Sequence, residues 1–164
     1  MRRIVFPWIL LALLGGLAVW WLQPAQVLKR RTRKVLQTLT LAGDETTTNR
    51  KMGIYALSGL LASQVQLEPP PAFNDTSGSF DRSEIESAYT WLCDQAKQTH
   101  FQLLNIHSVT IHGDQADVAF LIDALVELPN GRLADGPYEC AFHWQLENET
   151  WHLTRAKWVE ANTL

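Results

Sequence analysis

HSVTIHGDQADVAFLIDA, running from His107 to Ala124, decides how the rest of this chain is read. Apolar and polar residues alternate on both sides of Gly113-Asp114, and a glycine there lets a tight two-residue turn reverse the chain without strain. Folding about that turn sets Val109 opposite Val118 and Ile111 opposite Ala116, so one face of the hairpin is apolar throughout. The same count of two places His107 on the inner face across from Phe120. It places Asp117 and Asp123 on the outer face.

The period of two continues to the end of the chain. Pro129-Asn130-Gly131 supplies a second turn and Asn148-Glu149 a third, which pairs Trp144 with Leu153 and Leu146 with Trp151. Tyr138, Cys140, Phe142, Trp144 and Leu146 extend the apolar face. Trp158 is left over from this pattern and marks either a bulge or a partner surface. Before His100 the period is 3.6. Leu28, Thr32, Val35 and Leu39 form an apolar stripe between Pro24 and Ala42. Gly43-Asp44 ends that helix, and Thr46 to Thr48 offer caps for a second one with Met52, Tyr55, Ala56, Gly59 and Leu60 on its stripe. Val65-Gln66-Leu67 alternates briefly, and Glu68-Pro69-Pro70-Pro71 opens a loop through Ser79. Asp81 with Glu84 and Ser83 with Glu86 have capping-box spacing for a third helix, whose apolar face is Ile85, Ala88, Tyr89, Leu92, Cys93 and Ala96. The expected fold is α+β, with helices packed on a curved antiparallel sheet.

The sequence divides into a segment over 1–24 and a domain over 25–164. Ile4 to Leu22 carry no charge, and at about 1.5 Å per residue this run spans about 28 Å as a helix, enough to cross a bilayer. Arg2 and Arg3 precede it as in a secretory signal peptide, but the run ends in Trp20-Trp21-Leu22-Gln23-Pro24 without a small-residue cleavage pattern. An uncleaved single-pass signal-anchor is the reading, with the tryptophans at the interface. Lys29, Arg30, Arg31, Arg33 and Lys34 follow the span. They suit either anionic headgroups beside the membrane or a solvated helix face. A literal count of positive charge places the domain in the cytoplasm, whereas a short basic N-terminal tail retained inside exports it.

A net charge of −3 over 164 residues gives no global basic field, so nucleic acid is not an expected partner. Cys93 and Cys140 fit neither a redox pair nor zinc spacing. Both have inward parity, one on the third helix and one on the sheet, so buried free thiols and an export-dependent disulfide stay open. His143, His152 and Glu139 share the outer face but lack a third rigid ligand beside the histidines, and no metal or cofactor is expected. There is no P-loop, G-x-S-x-G or G-x-G-x-x-G.

The order helix, helix, short strand, loop, helix and long meander resembles the nuclear transport factor 2-like superfamily, which includes SnoaL-like and ketosteroid-isomerase-like proteins. HSVTIHGDQADVAFLIDA looks like its common hairpin, and YECAFHWQLENETWHLTRAKW, Tyr138 to Trp158, looks like its closing one. The likeness covers about Val27 to Ala161. It implies a conical domain with a pocket between the third helix and the sheet, around His107, Tyr89, Phe120 and Phe142. A neutral histidine beside a tyrosine in an apolar pocket suits acid-base work, so His107 is the candidate catalytic residue; its alternative is a histidine at the core edge. The isomerase-like members rely on an inward carboxylate, and none is placed here. Membrane-anchored members imply an exported, periplasmic domain, and many members dimerise through the outer sheet face, here Glu139, His143, Gln145 and His152. The expected function is a membrane-tethered, non-catalytic binding or scaffold domain at the cell envelope, taking a protein partner or a small apolar ligand. The alternative is a small-molecule isomerase, dehydratase or hydrolase built around His107.

Overall fold

The computed structural model describes residues 23–71 and 77–161. The expected membrane span, Ile4 to Leu22, lies outside the described residues. No helix among the described residues is long and apolar enough to cross a bilayer. The elements are α1 (Pro24–Leu39), α2 (Thr47–Ser58), β1 (Leu61–Glu68), β2 (Gly78–Asp81), α3 (Arg82–Gln95), β3 (Gln98–His112), β4 (Gln115–Leu128), β5 (Gly131–Glu147) and β6 (Thr150–Glu160). The strands form one curved sheet in the order β2-β1-β6-β5-β4-β3, with the helices against its inner face.

The meander pairs as its turns demand. Val109 faces Val118, Ile111 faces Ala116, Trp144 faces Leu153 and Leu146 faces Trp151. Gly113 takes φ +62°, and Asn148 and Glu149 take +48° and +64°, the left-handed pair of a two-residue hairpin turn. Along β4 every second residue from Ala116 to Val126 is buried. Phe120 stacks edge-on to Phe142 at 4.8 Å, and Phe142 to Trp144 at 6.1 Å. A fully buried side chain of this size stabilises the fold by about 1.5–3 kcal/mol.

The sheet is mixed rather than antiparallel. β1 pairs in parallel with β6, Leu67 facing Ala156, while all other pairs are antiparallel. A short turn forces antiparallel pairing, but β1 and β6 lie far apart in the chain and no turn constrains them. β2, which begins inside the stretch expected to be loop, pairs with β1 and makes one edge of the sheet.

The starts of α2 and α3 have a local cause. Thr46 caps α2 by accepting from the Asn49 amide, and the Asp81 amide donates to Glu84 at 2.7 Å before α3. Leu28, Thr32 and Val35 of the expected α1 face are buried and Leu39 is half-buried, with Leu36 and Thr38 buried beside them, and Tyr89 and Cys93 bury the expected face of α3. The expected face of α2 holds only in part: Leu60 is buried, but Met52 and Tyr55 are exposed, and within the helix the buried residues are Arg50 and Leu57. Arg50 turns inward because it satisfies three carbonyls of two other segments, Ala42 and the adjacent Ala96 and Lys97, and Gly53 leaves room for Tyr89 beside it.

Candidate functional site

Helices α1 and α3 stand off the curved sheet and leave a cavity of about 420 Å³ between them. Leu39 from α1, Ile85, Tyr89 and Leu92 from α3, and Ile122, Val126, Tyr138, Phe142, Leu153 and Trp158 from the sheet line it. The volume lies in the range of small-molecule sites, and the lining is almost wholly apolar. Trp158 reaches the cavity because β6 bulges at Thr154, between the Trp144–Leu153 and His143–Arg155 pairs, which resets the parity of the strand.

The titratable groups on this wall are neutral at physiological pH. Tyr89 is only 4% exposed, and its hydroxyl donates within reach of two carbonyls, Thr38 at 3.1 Å and Arg50 at 2.9 Å. Burial, first, and the neighbouring Cys93 hold its phenol far above the ordinary tyrosine range. Burial raises Tyr138 as well, and pushes the Cys140 thiol up to about 12. Cys93 is also raised by burial, and both cysteines are buried free thiols. A general base is most effective with a pKa near the working pH, and none of these groups has one.

The pocket expected around His107 is only partly assembled. Tyr89 and Phe142 line the cavity, whereas Phe120 lies behind it in the core with no exposure. His107 is on the other side of the sheet. Strand β3 bulges twice: Leu103 faces Ile122 and Asn105 faces Leu121, then Ile106 faces Phe120 and Ser108 faces Ala119. Leu104 and His107 are therefore extra residues without a partner, and the count of two from Val109 fails at the second bulge. The His107 ring is 40% exposed and meets Glu139 at 3.1 Å, with the Asn105 amide at 3.3 Å on its other nitrogen.

The outer face carries further cross-strand pairs. His143 meets Asp117 at 2.8 Å and Gln145 donates to Asp114 at 2.8 Å. His152 bonds instead to the Leu61 carbonyl at 3.2 Å. Glu139, His143 and Gln145, residues expected at a dimer interface, are thus each engaged within the sheet. Among the described residues, no group of three or more histidines, cysteines or carboxylates is placed to hold a metal ion. Asp123 is exposed on the outer face, as its parity requires.

A second hollow, which reading the sequence missed, lies outside the cone. Lys29, Arg33 and Gln37 of α1 face residues 100–106 of β3 across an open groove of about 970 Å³. The basic cluster is thereby divided, since Arg30, Arg31 and Lys34 do not line it.

No protein-family model and no curated protein matches this sequence. Solved structures do. A nuclear transport factor 2-like protein from Cytophaga hutchinsonii superposes with a TM-score of 0.61 at 14% identity, covering 85% of this chain and 100% of its own. An uncharacterized protein with a cystatin-like fold from Caulobacter vibrioides gives 0.63 at 11%, covering 84% and 89%. The CaMKII hub of S. rosetta gives 0.61 at 15%, covering 84% and 97%. The likeness is one of architecture: the chain has the nuclear transport factor 2-like fold, with a cone interior furnished by its own apolar side chains.

Proposed function

We propose that this chain is a membrane-tethered, non-catalytic domain that binds a small neutral apolar ligand in its cone, on the outer side of the membrane. The observation that carries this reading is the chemistry of the cavity wall. It offers apolar surface to a ligand and, in Tyr89, Tyr138 and Cys140, only groups that burial keeps protonated. A reaction drawing protons from carbon or oxygen needs a base in contact with substrate, and the histidine that sequence parity placed there faces Glu139 instead.

The binding half is tested with naphthalene, a neutral probe, and the full chain in maltoside micelles. Wild type is expected to melt several degrees higher when the probe saturates it, because a ligand that binds only the folded state stabilises it by mass action. Ala134→Trp puts an indole into the cavity wall beside Leu133 and Tyr138 and should abolish that rise. An equal rise in both proteins would mean that the probe acts elsewhere.

The tether is tested separately, because it rests on Ile4 to Leu22 alone. Alkaline phosphatase fused after Leu164 is expected to be active and to sediment with membranes after carbonate washing. An inactive fusion would place the domain in the cytoplasm and sink the envelope reading, without touching the cavity.

A further inference from the structure

The groove between α1 and β3 combines two features that the cone does not. Its lining includes apolar side chains, Leu36, Phe101, Leu103, Ile106 and the half-exposed Leu104, beside the polar Thr40 and His100. Its rim is cationic: Lys29 and Arg33 are one helical turn apart and point along the same edge of α1. Several other surface cations are paired, Lys51 with Asp94 at 2.7 Å and Arg155 with Glu68 at 3.6 Å, for example. Lys29 and Arg33 meet no carboxylate among the described residues, and no aspartate or glutamate lines the groove. Gln37 and Gln102 add neutral donors.

What fits such a place is an anion on an apolar stem. An added β-strand is a poor occupant even though β3 is an edge strand, because the bulges at Leu104 and His107 break the regular row of backbone donors and acceptors that strand pairing needs. A free phosphate would use the two cations and leave the apolar side chains of the lining in water. We propose that the groove seats the headgroup of an acidic phospholipid, its phosphate between Lys29 and Arg33 and the start of its acyl stem over Leu36 and Phe101. The proposal leans on the tether argued above for its source of lipid. Lys29 lies five residues into α1, on the order of 8 Å of helical rise from Pro24, and only seven residues in sequence after Leu22, where the expected span ends.

The test uses the full chain in neutral maltoside micelles, titrated calorimetrically with dihexanoylphosphatidylglycerol, dihexanoylphosphatidylcholine and glycerol phosphate. The acidic lipid is expected to bind at least tenfold more tightly than either of the others. The double variant Lys29→Gln/Arg33→Gln should lose at least tenfold of that affinity while keeping its melting temperature, since Arg33 is exposed, Lys29 is only half-buried and neither has a carboxylate partner among the described residues. Ala134→Trp, which fills the cone, should leave it unchanged. Equal affinity for both lipids, or for glycerol phosphate and the acidic lipid, would overturn the proposal, as would binding indifferent to the double variant. Loss of binding in Ala134→Trp would move the lipid into the cone. Because these probes arrive from solution, the outcome does not depend on whether the phosphatase fusion reports a tether.

Discussion

Exchanging Arg50 for methionine is expected to destabilise the domain by about 3 kcal/mol, the largest effect of any single change away from the apolar core. The guanidinium is 7% exposed and has no carboxylate partner. It donates instead to the carbonyls of Ala42, of Ala96 at 2.7 Å and of Lys97 at 2.9 Å, so one planar fork ties the α1–α2 connection, the end of α3 and the entry to β3 together. The negative end of the α3 dipole, at its C-cap Ala96, favours a cation there. Methionine keeps the packing of the stem but takes this donor from the Ala96 and Lys97 carbonyls, at about 1–3 kcal/mol for each one left buried without a donor, whereas Ala42 keeps the Glu45 amide at 3.3 Å. Relief from burying a charge offsets part of that loss. The melting temperature should fall by roughly 10 °C. Lysine should recover little, because one ammonium cannot reach three carbonyls along the fork. A melting temperature within a degree or two of wild type in Arg50→Met would remove Arg50 from its place as the tie.

Gly53→Ala should cost nearly as much, although alanine at a helix interior ordinarily stabilises by roughly 0.5–1 kcal/mol. A Cβ at this position would stand 2.2 Å from the Tyr89 hydroxyl oxygen, 3.1 Å from its Cζ and 3.3 Å from Thr38 Cγ2. Tyr89 would have to withdraw, losing its bond to Thr38 or Arg50 at the back of the cavity. Overpacking of about 1–3 kcal/mol and a buried hydroxyl without an acceptor together outweigh the helix gain. The decisive measurement is a double-mutant cycle with Tyr89→Phe. Removing the hydroxyl removes the closest contact, so the double variant should be at least about 1 kcal/mol more stable than the sum of the single losses predicts. Strict additivity would mean that the two residues do not meet.

Much of this fold could be read from turns. Gly113 and the Asn148-Glu149 pair set the registers of two hairpins, and once the register is set the inner face of β4 and β5 follows from the period of two. What failed was parity carried past a bulge. Neither Leu104 nor His107 is a residue type that announces an irregularity, so nothing near them warns that the count slips, and the slip moved the candidate catalytic histidine through the sheet. At Thr154 the same device acted in the other direction, and there Trp158, stranded by the pattern, gave the signal. The α2 face was misread for a different reason. An arginine reads as solvent-facing from sequence, and its partners are backbone carbonyls contributed by distant segments, which no side-chain pattern reveals. The parallel β1–β6 pairing was invisible for the same cause, as a contact between remote parts of the chain. Of the expected pocket, Tyr89 and Phe142 were legible because a helix face and a strand face converge on them.

The most direct test of a binding role for the cone is to see which methyl groups report a bound apolar molecule. With Ile, Leu and Val methyls labelled in the full chain, naphthalene should shift the resonances of Ile85, Ile122, Val126 and Leu153, and leave Val159 on the outer face and Ile106 in the groove unchanged. Shifts confined to Val159 or Ile106, or none at saturation, would contradict the account, and the cone would then be packing space rather than a site.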